Sequence, residues 1–122
     1  MAVTIVPSGL TSGPKIIKDA DCDSTAEVDL NGGSGTIYSV VVDNTNNAAE
    51  AEYVKIYNHA NPVVGTTTPH VILYAAANKS LVYTFVGGLT LSTSISIACV
   101  QEAGTTGTTD PTSDTLVGMV TV

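Results

Sequence analysis

The chain has 122 residues, 43% hydrophobic and only 12% charged, and its 11 acids outnumber its basic residues enough to leave a net charge of −7. That length fits one domain with one core. The only basic side chains are Lys15, Lys18, Lys55 and Lys79, which are scattered, and the chain has no Trp and one Phe; this excludes the cation clusters and stacking platforms of nucleic-acid binding and disfavours anionic membranes.

Residues 1–13 contain a short strand pattern at Val3 to Val6. Val3, Ile5 and Val6 are apolar yet close to a terminus, so the segment is read as a contact arm with those three as interface residues. Its opening lacks the basic and long apolar parts of a secretory signal, and no apolar run in the chain is long enough for a membrane span. Folding in a cytoplasm is the expectation.

A short strand is expected at Pro14 to Lys18. An acidic run follows, reading D-x-D-x-D-S-x-x-E from Asp19 to Glu27. Asp19, Asp21, Asp23 and Glu27 match the first, third, fifth and ninth positions of an EF-hand loop. Ser24 stands where the turn needs Gly, Leu30 stands where a bidentate Glu is needed, and helical flanks are missing. An EF-hand is excluded. What remains is a looser calcium site from those four carboxylates, set against a solvated acidic loop that runs into a strand at Ala26 to Leu30, with Glu27 and Asp29 on its wet face. Cys22 lies inside the run and Cys99 near the end of an apolar stretch; two cysteines make no disulfide framework and are read as free thiols.

Further strands are expected at Gly35 to Asp43, apolar on both faces at its end and therefore central, and at Glu52 to Asn58, where Tyr53, Lys55 and Tyr57 alternate with Val54 and Ile56. Between them, Asn47 to Glu50 has room for at most one helical turn. His70 to Ala75 and Leu81 to Val86 flank a turn at Ala76 to Ser80. Leu89 to Val100 shows period-two alternation throughout, with Leu89, Leu91, Thr93, Ile95, Ile97 and Cys99 on one face and Ser and Thr on the other, and reads as one run with a buried and a wet side. Residues 102–114 form a long polar loop rich in Thr and Gly, either flexible or ordered on assembly. Thr115 to Val122 closes the chain. Short strands punctuated by Gly, Pro and Asn at this spacing predict an all-β fold, an antiparallel sandwich of about seven to nine strands, jelly-roll- or Ig-like, with negligible helix.

Catalytic signals are weak. No Ser lies in a G-x-S-x-G elbow. His59 and His70 sit at strand ends without the short-spaced partners of a zinc site. Tyr53, Tyr57, Tyr74 and Tyr83 fall on strands, where cross-strand packing is their expected use. The chain is therefore read as a non-enzyme.

Two segments carry a resemblance. One is Tyr38 to Asn47 leading into Glu52-Tyr53-Val54-Lys55-Ile56-Tyr57-Asn58. The other is Pro62 to Leu73, with Val64-Gly65-Thr66-Thr67-Thr68-Pro69, continued by Gly88-Leu89-Thr90-Leu91-Ser92-Thr93-Ser94-Ile95-Ser96-Ile97-Ala98. Together they resemble small virion structural proteins of tailed bacteriophages, in which such a strand, loop and strand recur in that order. The resemblance covers Gly35 to Val100 and implies a β-sandwich module of the particle. The expected role is a capsid decoration (cement) protein that bridges capsid subunits, or else a carbohydrate-binding, receptor-binding or structural module of a tail or head fibre. It implies the major capsid protein or other virion proteins as partners, a homo-oligomer with a trimer favoured, and location on the virion surface. It implies no catalytic residue and no cofactor.

Overall fold

The computed structural model describes residues 3–7 and 14–122, and among these described residues eight strands form. They are β1 (Val3–Pro7), β2 (Lys15–Cys22), β3 (Gly35–Asp43), β4 (Glu52–Tyr57), β5 (Val71–Ala75), β6 (Ser80–Leu91), β7 (Ser96–Val100) and β8 (Thr115–Thr121). All pairings are antiparallel, in a five-stranded sheet of order β1-β2-β8-β3-β6 and a three-stranded sheet of order β5-β4-β7. The expected all-β class, strand number and absence of helix are found among the described residues.

Alternation explains the layering. Ile17, Val40, Val42, Val117 and Met119 of the wider sheet meet Val54, Ile56, Leu73, Ala75, Ile97 and Cys99 of the narrower one in a single core. Successive strand residues face opposite sides, so Ile16, Val41, Val120 and their neighbours point away from it. Five strands opposite three leave the wider sheet with a margin. Ile5 is paired with fully buried Ile17 and shares its inward face, yet it stays 48% exposed because β1 forms that margin.

Two expectations need correcting. The run from Leu89 to Val100 is not one strand. It ends β6 at Leu91, turns at Ser92 and Thr93, and re-enters the other sheet as β7. Its second half has no wet face, because Ser94, Ser96 and Ala98 are as buried as Ile95 and Ile97. Their hydroxyls are satisfied internally: Ser96 Oγ donates to the His59 carbonyl at 2.6 Å and Ser94 Oγ to Asp29 Oδ1 at 2.8 Å. Buried small polar residues thus imitate a wet face in sequence. Second, Ala26 to Leu30 is not a strand. Only Glu27 bridges, to Ile97, and Asp29 adopts a φ of 52° that no strand tolerates. Residues 48 and 49 are bends, in keeping with the expectation of at most one helical turn there.

The long loop 102–114 is tied down within the chain. Glu102 accepts the Thr109 N–H at 3.1 Å and also takes a short bond from the Thr109 hydroxyl. Gln101 reaches the Asp110 carbonyl at 2.6 Å. Lys55 Nζ rises from the outer face of β4 and donates to the carbonyls of Thr105 (3.1 Å) and Gly107 (2.7 Å). The loop therefore covers that face, and Lys55 is fully buried. Burial depresses the Lys55 pKa, while nearby Glu102 opposes the shift. Replacing Lys55 with Met keeps the stem and deletes both bonds. The expected result is a stability loss of roughly 2 kcal/mol and new subtilisin cleavage within 102–114. A Lys55→Met protein as resistant as the parent would show that other bonds hold the loop.

Of residues 1–13, expected as a contact arm, 3–7 form β1, and the rest lie outside the described residues. β1 is hydrogen-bonded to β2 along its length, so this part belongs to the sheet.

Candidate functional site

The acidic run is pulled apart by the fold. Asp19 points inward from β2, is fully buried, and accepts the Asp21 N–H at 3.3 Å on Oδ1, while Oδ2 has no hydrogen bond. Burial is the main reason its pKa rises to about 6, with the Glu27 charge adding to the effect. Asp21 and Asp23 line a cleft of about 200 Å³ together with Asp110, Pro111, Thr112, Ser113 and Asp114. Within it, Asp23 Oδ1 holds the Thr25 N–H at 2.7 Å and Asp110 Oδ1 holds the Ser24 N–H at 2.9 Å. Glu27 sits on the edge of β7, held by two backbone bonds of 2.9 Å to Ile97. The four carboxylates considered for calcium thus divide among core, cleft and strand edge. Among the described residues, no group of three or more His, Cys, Asp or Glu is arranged to hold a metal ion.

The histidines are also apart from such chemistry. His59 is exposed, and its Nδ1 accepts the Asn61 N–H at 3.0 Å. His70 is exposed and its backbone N–H donates to the Ile56 carbonyl at 2.8 Å. Tyr53 and Tyr74 face each other across β4 and β5 with ring centroids 5.4 Å apart, the cross-strand packing expected of them.

A different feature stands out on the outer face of the five-stranded sheet. Two rows of residues cross all five strands in register. One is Thr4, Lys18, Gly118, Val41 and Val82; the other is Val6, Ile16, Val120, Ser39 and Thr84. Lys18 is the only charge in these rows, although the whole chain carries −7. Val6, Ile16 and Val82 are 51%, 52% and 67% exposed. At the rim, β6 bulges where Phe85 to Gly88 have no partner on β3. Gly87 and Gly88 take φ values of 81° and 86° there, lifting Val86 to 97% exposure. A side chain on Gly88 would run into Thr36 and Tyr38.

Gly118 lies at the centre of this face. Glycine inside a strand weakens it and often marks the close approach of another backbone. The fold itself does not call for glycine at this position. Its φ is not positive, and a Cβ built there meets nothing within 4 Å. The face therefore carries no side chain at its centre, and its two rows mix Val and Ile with Thr and Ser around a single charge, Lys18. Sequence reading named only Val6 of these ten residues as an interface candidate. The available signal was the interruption of the strand Thr115–Thr121 by Gly118, which becomes informative only when its neighbours are known. Of the other two expected interface residues, Val3 packs partly against the core and Ile5 is half exposed at the margin.

No family model matches the chain, and no curated protein is similar to it.

Proposed function

We propose that this chain is a structural protein of a bacteriophage particle, a capsid decoration protein that stabilises the head by bridging capsid subunits. It docks through the outer face of its five-stranded sheet. The observation that carries the reading is the partly exposed, nearly uncharged face around Gly118. Such a surface can be covered without desolvating ions, and apolar patches of this kind mark contacts between proteins. Of the 11 acids, Asp19 and Glu52 are buried and none of the others lies in the two rows around Gly118, so most of the negative charge sits elsewhere on the surface and helps to keep the free protein in solution. The resemblance of the segments from Gly35 to Val100 to virion proteins of tailed phages supplies the identity of the partner, the major capsid protein. Homo-oligomeric copies, with a trimer expected, would set several such faces against a capsid symmetry axis.

The test is co-sedimentation with empty heads assembled from the major capsid protein of the same genome. The native protein is expected to bind at high copy number. Gly118→Val is expected to fold with an unchanged or slightly higher melting midpoint, since valine suits a strand better than glycine. Its head binding is expected to fall at least about tenfold, because the added side chain stands where the partner's backbone approaches. Failure of the native protein to bind heads would overturn the assignment. Full binding by Gly118→Val would move the contact to another surface. Glycan binding without head binding would favour the fibre module instead.

A further inference from the structure

Cys22 ends β2 in one sheet, and Cys99 lies in β7 of the other. Simple alternation would point Cys22 outward, on the same side as Ile16 and Lys18. The register shift between Asp19 and Cys22 is a bulge that turns it inward instead. Both cysteines are members of the core, with 1% and 0% of their surface exposed. The Cys99 N–H donates to the Asp23 carbonyl at 2.8 Å, so the backbones at 22–23 and 99 run side by side. Across the gap between the sheets the two thiols are close enough for each to act on the other's protonation. Converging side chains on adjacent backbones are what a disulfide requires; cysteines whose side chains diverge cannot be bridged without moving the backbone.

We propose that Cys22 and Cys99 are a redox pair that closes into an intersheet disulfide once the protein meets an oxidising environment. This inference is independent of the docking reading. Two S–H bonds break and one S–S bond forms, releasing two protons and two electrons. A low-molecular-weight disulfide such as oxidised glutathione takes up the electrons and is itself cleaved to two thiols. Exchange proceeds through a mixed disulfide on one cysteine, which the second then displaces. Burial pushes both thiols above their ordinary range. The thiolate that attacks a disulfide is therefore scarce in the closed fold, and exchange takes place during folding or transient opening. The bond would join distant parts of the chain and pin the two sheets together, as suits a protein made in a reducing cell and used outside it.

The experiment is refolding of the full native chain from denaturant in glutathione buffers stepped from reducing to oxidising. Intact mass, free thiols counted under denaturing conditions, and melting midpoint are read at each step. The expected product under oxidising conditions is a species crosslinked within one chain, with both thiols lost, two hydrogens missing from the mass, and a midpoint higher by roughly 10 °C. Adding reductant should reverse the shift, and Cys99→Ala should show none. The proposal is overturned if both thiols stay free in the most oxidising buffer. Thiol loss only through glutathione adducts or links between chains would also overturn it, as would a crosslinked form that melts below the reduced one.

Discussion

Replacing Asn47 with alanine is expected to remove roughly 3 kcal/mol of unfolding free energy and to lower the melting midpoint by about 10 °C. Asn47 is 3% exposed, and every polar group of its side chain is engaged. Its Nδ2 donates to Asn44 Oδ1 (2.8 Å), the Ser113 carbonyl (3.0 Å) and Thr115 Oγ1 (3.2 Å), and its Oδ1 accepts the Ser113 N–H at 2.7 Å. Asn44, fully buried, donates in turn to the carbonyls of Glu50 (3.0 Å), Ala75 (3.4 Å) and Ala76 (3.2 Å). The Asn78 N–H closes the knot on the Asn47 carbonyl at 2.9 Å. Three connections between the sheets meet here: β3 to β4, β5 to β6, and the entry to β8. Alanine would strand several of these groups without water, and an unpaired buried polar group costs more than a hydrogen bond contributes. Asn47→Asp should fare no better, since it keeps the acceptor for Ser113, loses the donors and buries a charge. Urea unfolding of both variants checks this; a loss below about 1 kcal/mol would falsify the view that the knot acts as a unit.

The second large effect is on pH dependence. Glu52 is fully buried, and neither carboxyl oxygen finds a donor. Burial first, and then the neighbouring Glu50 and Glu102 carboxyls, raise its pKa from 4.5 to about 8. At neutral pH, Glu52 is thus held largely protonated. Glu50 is itself shifted downward, chiefly by the Thr112 hydroxyl and N–H, both 2.6 Å away. Asp19 behaves like Glu52, its pKa raised from 3.8 to about 6. A group whose pKa is higher when folded stabilises the fold fully below its unfolded value and loses that contribution as pH rises to the folded one. From about pH 5 to pH 8 the folded chain holds more protons than the unfolded chain, so stability should fall by roughly 3 kcal/mol. The surface acids Asp43, Glu50, Glu102 and Asp110 are shifted the other way by their hydrogen bonds. Their contribution exists above the ordinary carboxylate range and disappears as pH falls through their lowered values, so stability should also decline in strong acid. The expected profile peaks near about pH 5. In Glu52→Gln, which carries the neutral form permanently, the decline between pH 5 and 8 should shrink by more than half. A profile as steep as that of the parent would place the titrating group elsewhere.

Both effects arise from polar residues whose surroundings sequence alone does not reveal. Asn44, Asn47 and Glu52 read in sequence as loop or strand-start residues, and Lys55 as one member of an alternating strand. They are buried because connections from distant parts of the chain converge on them. The same limit applies to the candidate sites. The acidic run is contiguous in sequence, yet a bulge at its centre and a bridge at its end send its members in different directions.

The sequence by itself determined the all-β class, the approximate strand positions and the absence of helix among the described residues, because period-two alternation and Gly, Pro and Asn punctuation are local and obey backbone geometry. It also determined the shortage of cations, which needs only counting. Tertiary structure alone decided where Leu89 to Val100 changes sheets, since buried serines and exposed serines look alike in a string. It turned Cys22 toward Cys99, because a register shift reverses every side chain beyond it. It also gathered Ile16, Gly118, Val41 and Val82 from four strands into one face that carries a single charge, a property of pairing register that no single segment contains.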